Sequence, residues 1–415
     1  MKRLFGVAIA MAIAQSASAA PNVTNVTQKG SLLVFPDIRV DRNAGNLAGA
    51  PLAGSFDTLI RIQNDGSSDI DLKCYWMDGH KNRVDFILPI TKNQAVWFDA
   101  DSGRGSTNIN PFPQAAANGF NAGTRHPFLE FGGTAIADGN DGFGPYRRGV
   151  LVCWVVDAGS QNQVKWNHLS GTATVYSANT AYEYNAYAFF VPTGADHDPV
   201  GVAGIINLNG LEYDACPLYQ IGQFTPVDST GAGLGAGFQP GVFNPAGPAI
   251  SWNRLVVTGC NLNLNQDWAP VWTKLQFDIW NADEVKFTGA YECADTWHET
   301  DFRAGANPQN GAGNNPVPGF VDGIDSAAQN FQATTLATYS ARYRVQGLKS
   351  TQCDRVRGED DTVADVATQG LGLLAVQSSL FQGTDPIGST LTGAGKFNGK
   401  IVWDEEDVVP EGGLR

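Results

Sequence analysis

Positive charge is scarce in this chain: 27 Lys and Arg stand against 41 Asp and Glu, a formal charge of −14 at pH 7. Neutralising phosphates takes Lys and Arg, so the overall balance argues against sequence-independent nucleic-acid binding and against electrostatic docking on anionic lipid. Histidine is scarcer still, with five in 415 residues. No GxSxG elbow and no HExxH pair occurs, which removes two common hydrolase signatures. No CxxC occurs either, and the nearest cysteines, Cys260 and Cys293, are over thirty residues apart. That spacing excludes a thiolate zinc or iron–sulfur site and c-type haem. Long amphipathic helical windows are nearly absent; the best, VADVATQGLGLLAV at 363–376, is weakened by two glycines and its β-branched residues. Beyond the first twenty residues no apolar run is long enough to cross a bilayer as a helix.

Those first twenty residues carry a basic start (MKR), an apolar stretch (LFGVAIAMAIA) and the small-x-small sequence Ala17-Ser18-Ala19. They read as a signal peptide, residues 1–19, cut after Ala19. The apolar stretch falls well short of the roughly 20 residues of a spanning helix. No cysteine follows the cut, so lipid attachment is not expected, and the mature chain carries 25 minus 41, or −16. The expected location is extracytoplasmic, in the periplasm or secreted. About 395 residues remain, which favours two domains over one.

Glycine, asparagine, threonine and aromatic residues dominate what remains, as expected for strands joined by turns. In FDTLIRIQNDGSSDIDLKCYWMD (56–78) apolar and polar residues alternate through DTLIRIQN, break at Asn64–Asp69, and alternate again to Cys74 and Trp76. A hairpin is the simplest reading. KLQFDIWNADEVKFTGAYECAD (274–295) repeats the scheme: strand, Asn-led turn, strand, Cys293. Each unit is followed by further strands and a later cysteine, Cys153 and Cys353. The expected fold is therefore all-β, with two tandem disulfide-stapled β-sandwiches. The first spans 20–195 and the second 250–404. A Gly/Pro-rich linker occupies 196–249, a long Gly/Asn/Pro-rich insertion 303–331, and an acidic tail 405–415. The glycine-rich GAGLGAG of the linker has neither the Lys of a P-loop nor a strand–helix context, and reads as surface loop.

Six cysteines in an exported chain should pair, and six allow 15 connectivities. The repeat selects Cys74 with Cys153, Cys293 with Cys353, and Cys216 with Cys260. Each bond would stabilise by about 3–5 kcal/mol in the loop-entropy model.

Three sets of residues could carry chemistry. Asp99, Asp101 (DADSG) and Asp138, Asn140, Asp141 (DGNDG) have the alternating oxygens and glycine of a calcium loop, without the distal Glu of a full EF-hand. Calcium is the one cofactor they raise. Asp295, His298 and Glu299 in DTWHETDF could do acid–base work if burial split their pKa values, although a polar loop at a sandwich end collects such groups without catalysis. Trp268, Trp272 and Trp297, beside Asn, Gln and carboxylates, could hold a glycan. His168 and His197 stand in turns with no partner that sequence can establish.

FDTLIRIQN with its turn and cysteine strand, followed by GVLVCWVVDA, resembles strand patterns of uncharacterised exported bacterial proteins with immunoglobulin-like or fibronectin-like sandwich domains. The resemblance implies a sandwich fold and an extracytoplasmic location, and transfers no catalytic residue. The expected function is that of a non-enzymatic structural or binding protein of the cell envelope or extracellular space, presenting the loops of two sandwiches to a protein or glycan partner, or to copies of itself. The alternative is a secreted hydrolase acting on glycans through the loop carboxylates.

Overall fold

The computed structural model describes residues 23–41, 57–77, 83–100, 146–157, 159–176, 181–224, 249–260, 273–294, 297–301, 340–351, 370–384 and 390–395. In chain order the strands are β1 Leu32–Asp41, β2 Asp57–Asn64, β3 Ile70–Met77, β4 Arg83–Ile90, β5 Gln94–Asp99, β6 Tyr146–Val156, β7 Leu169–Tyr176, β8 Ala181–Asn185 and β9 Tyr187–Phe189. They continue with β10 Tyr219–Phe224, β11 Ala249–Gly259, β12 Thr273–Trp280, β13 Lys286–Ala294, β14 Trp297–Asp301, β15 Ala341–Leu348, β16 Leu373–Thr384 and β17 Thr390–Gly395. No helix occurs among the described residues, and the end of the best helical window, Leu373–Val376, opens strand β16.

The strands form four antiparallel sheets: β5-β2-β7-β8, β4-β3-β6-β1-β9, β14-β11-β16-β17 and β10-β15-β12-β13. Side chains that alternate along a strand point to opposite faces, so the core clusters fix how the sheets stack. Ile60, Ile62, Val96 and Phe98 of the first sheet meet Leu33, Phe35, Leu72, Trp76, Leu151 and Val155 of the second. The intervening residues of the second, Leu32, Val34, Tyr75, Val152 and Trp154, meet Val256, Trp297 and Leu374 of the third. The third sheet's other face, Leu255, Val257, Leu373 and Ala375, packs on Leu275, Phe277, Tyr343 and Val345 of the fourth. The result is four layers, with the central strands of the two inner sheets buried on both faces. Continuous apolar runs such as GVLVCWVV are what such strands require.

The 56–78 stretch is not a hairpin. β2 pairs with β5 and β7, while β3 pairs with β4 and β6 in the neighbouring sheet. The turn between them is an arch that carries the chain from one layer to the next, so that Ile60 and Ile62 face Leu72 and Trp76 across the core. The 274–295 stretch is a true hairpin, β12 with β13.

Cys74 and Cys153 are directly opposite one another on β3 and β6 and are bonded, with Cα atoms 4.1 Å apart. Cys216 and Cys260 are bonded as well. Cys353, and the side chain of Cys293, lie outside the described residues. The stretch expected to link two domains holds a good deal of structure: Val200, Ile206 and Tyr213 are buried in the shared inner core, and β10 forms one edge of the fourth sheet. The signal peptide, the 303–331 insertion and the acidic tail also lie outside the described residues.

Candidate functional site: a cationic, aromatic sheet face

Of the residues singled out in the sequence, Trp297 and His298 lie on β14, where both are buried. Trp297 belongs to the inner core, and its Nε1 donates to the Pro36 carbonyl at 2.8 Å. A ring held there is packing, and the exposed platform that glycan stacking needs is absent at this position. Glu299 is the next position of the strand, opposite Val256, and His298 is opposite Val257. Asp99 ends β5. The side chains of Asp99 and Glu299, and all of Asp101, Asp138, Asn140, Asp141, Trp268, Trp272 and Asp295, lie outside the described residues. No group of three or more metal-ligating side chains occurs among the described residues.

Pro36 and Asp37 form a bulge in β1, where the register against β6 shifts between Phe35 and Ile38. Proline cannot donate to a ladder, so a bulge is the expected outcome. Asp37 is buried and paired with buried Arg254 of β11. Tyr182 donates to its Oδ2 at 2.5 Å, Arg254 reaches the same hydroxyl at 2.7 Å, and Tyr184 donates to its carbonyl at 2.7 Å. Burial, reinforced at Tyr184 by the Asp37 charge, holds both phenols well above their ordinary range and therefore protonated. All four side chains are buried, and the group ties β1 of the second sheet to β11 of the third and β8 of the first.

The two histidines left without partners by the sequence come together around Trp166. Their ring centroids stand 4.7 Å (His168) and 4.6 Å (His197) from the indole. His168 lies between two carboxylates, with Nε2 3.2 Å from Asp196 and Nδ1 3.6 Å from Asp65. Lys29 pairs with the same Asp65. All of these charged groups are substantially exposed, so the cluster is a surface tie between turns.

A denser constellation lies on the outer face of the fourth sheet, which alternation turns away from the core. β12 presents Lys274, Gln276, Asp278 and Trp280; β15 presents Arg342, Arg344 and Gln346; β10 presents Tyr219, Ile221 and Gln223. Register sets them in rows. Arg342 is opposite both Gln223 and Trp280, with Lys286 beyond; Arg344 is opposite Ile221 and Asp278; Gln346 is opposite Tyr219 and Gln276, with Tyr291 beyond.

Each cation lies against a ring. Arg342 and Lys286 approach Trp280 at 4.7 and 5.3 Å, Lys274 approaches Tyr291 at 4.6 Å, and Arg344 approaches Tyr219 at 5.9 Å. Such contacts contribute about 0.5–1 kcal/mol at exposed sites and, more usefully here, restrain long flexible stems. Asp278 sits beneath the cations, its side chain 3% exposed, taking Arg344 on Oδ2 at 2.5 Å and Lys286 on Oδ1 at 3.2 Å. One buried carboxylate thus orients two cations while neutralising one. Further carboxylates, Asp283 and Glu284, stand in the exposed β12–β13 turn at one end of the face.

The opposite outer face differs. On the first sheet Arg61 is neutralised by Glu183 at 2.8 Å, Gln63 bonds Ser170, and Tyr176 bonds Asp57. Trp97, 42% exposed, stands beside Arg61. Its described charges are Arg61 against Glu183 and Asp57, so it carries no positive excess.

The cationic face went unread in the sequence although its signal was present. KLQFDIW and ARYRVQG each alternate charged or polar residues with apolar ones, and the outward positions could be read as Lys274, Gln276, Asp278 and Trp280, and as Arg342, Arg344 and Gln346. What no local pattern supplies is that β15 lies between β10 and β12.

No family model matches the chain, and no curated protein matches it. Among solved structures, a protein of Parabacteroides distasonis described as secreted aligns over 86% of this chain and 86% of its own, at 8% identity and a TM-score of 0.16. A likeness so slight carries neither fold nor function.

Proposed function

We propose that this chain is an exported, non-enzymatic binding protein of the cell envelope or extracellular space, and that it meets its partner through the open face of the fourth sheet. The observation that carries the reading is the concentration of Lys274, Lys286, Arg342 and Arg344 on one rigid sheet face of a chain whose formal charge is −14. The signal-peptide reading of residues 1–19 and the disulfides support the location. The division into bodies at 20–195 and 250–404, and kinship with exported immunoglobulin-like or fibronectin-like sandwich proteins, belong to the same proposal.

Cell fractionation tests it. The wild-type protein should be found outside the cytoplasm, in part bound to the envelope or matrix and released by salt, because exposed charge contacts are screened. The double variant Lys274→Glu, Arg342→Glu should appear in the soluble fraction without added salt. Wild type and variant partitioning alike, or a cytoplasmic location, would refute the reading. The glycan-hydrolase alternative calls for reducing sugar released by the wild type and lost in Glu299→Gln.

A further inference from the structure

We infer that the ligand of this face is an acidic polysaccharide, a polymer of carboxylated or sulfated sugars; the inference rests on the binding role proposed above and names its chemical class. Charge complementarity is the first argument. The face sets four cations against one buried carboxylate, with Asp283 and Glu284 confined to the turn at one end, so an anionic partner gains along the strands where a cationic or neutral one does not. The charge is also distributed. Arg342 and Arg344 are two positions apart on one strand, and Trp280 separates Arg342 from Lys286 across the sheet. A polymer that repeats its anion can engage several of these cations at once, which a lone small anion cannot do.

The second argument concerns what lies between the charges. Gln223, Gln276 and Gln346 occupy outward positions in the same rows, each amide offering both a donor and an acceptor. Sugar hydroxyls need that pairing of donor and acceptor; lipid acyl chains do not. The rings tell against single-stranded nucleic acid. Base stacking needs an open aromatic face, whereas Trp280 is approached by two cations and Tyr291 by a third. These rings hold cations in place and are poorly placed to act as stacking platforms. The rows run across four neighbouring strands, which suits an extended chain laid across them.

The experiment uses the full mature chain and four probes: polygalacturonate, heparin, neutral dextran and a single-stranded DNA oligonucleotide. Binding is read by titration at 50 and 200 mM salt. The expected result is binding to polygalacturonate or heparin, not to dextran, weakening about tenfold or more over that salt range if three or four cations are engaged. Lys274→Glu, Arg342→Glu should lower affinity at least tenfold at low salt, with the fold kept and the melting temperature lowered by no more than the loss of two exposed cation–π contacts accounts for. The charge-conserving pair Lys274→Arg, Arg342→Lys should keep most of the affinity.

DNA bound more tightly than heparin, or dextran bound as tightly as polygalacturonate, with either lost in the charge-reversed variant, would leave a binding face and overturn the polysaccharide assignment. Acidic-polymer binding that charge reversal leaves intact would place the site elsewhere and overturn both readings. Failure of all four probes to bind would also overturn both.

Discussion

Two stretches of this chain look alike and fold differently. Residues 56–78 and 274–295 both read as strand, Asn-led turn, strand and cysteine, yet the first is an arch between layers and the second a hairpin within one. The difference lies in what each asparagine touches. Asn64 is buried; its Oδ1 accepts from Gly66 N at 3.0 Å and from Trp166 Nε1 at 2.8 Å, while its Nδ2 donates to Ser68 O and Thr91 O. Gly66 and Ser68 lie in the arch itself, whereas Thr91 lies in the β4–β5 connection and Trp166 in the β6–β7 connection, so the side chain ties the arch to two other crossings between the same two layers. Asn281 accepts on Oδ1 from Asp283 N and Val285 N of its own turn, in exposed surroundings. An asparagine therefore marks a turn in both places, and only its tertiary partners decide which kind.

Substitutions can break this comparison. Gly66 offers no room for a side chain, since a Cβ there would lie 2.1 Å from Trp166 Cζ2. Gly66→Val is expected to cost about 3 kcal/mol by overpacking, seen as a large drop in the denaturation midpoint. Asn64→Ala leaves the indole N–H and the Gly66 amide without their acceptor; at about 1–3 kcal/mol for a buried orphan, a loss near 2–3 kcal/mol is expected in chemical denaturation. Asn281→Ala, in a solvated turn, should cost about 0.5–1 kcal/mol by the same measurement. Lys29→Met removes the exposed pair with Asp65 at the arch and should change stability by less than about 0.5 kcal/mol, a difference that vanishes in high salt. Similar losses at Asn64 and Asn281 would show the two turns to be equivalent after all.

The same contrast explains how far sequence reached. Alternation in DTLIRIQN and KLQFDIW gave the strands, because a period of two is a local property. Partner choice is not local: Asp37 and Arg254 lie 217 residues apart, and nothing in FPDIRV or SWNRLVV announces that they meet. Likewise, the rows that gather Arg342, Trp280 and Lys286 depend on β15 entering between β10 and β12 after a long interruption of the chain. His168 and His197 could be noticed as residues but not as neighbours, since Trp166 brings them together only once the turns carrying them have packed.

The middle strands of the two central layers, β6 and β11, are buried wherever their side chains are described, and this bears on how such a protein can change over generations. Nearly every position of β6 and of the middle of β11 touches packing on one side or the other, so most substitutions there would be felt as lost stability before they could confer anything new. The two outermost plates each keep half of their side chains free of the interior. Variation in what the molecule recognises can therefore accumulate on those plates, one residue at a time, without disturbing the proline kink and buried ion pair that hold the middle together.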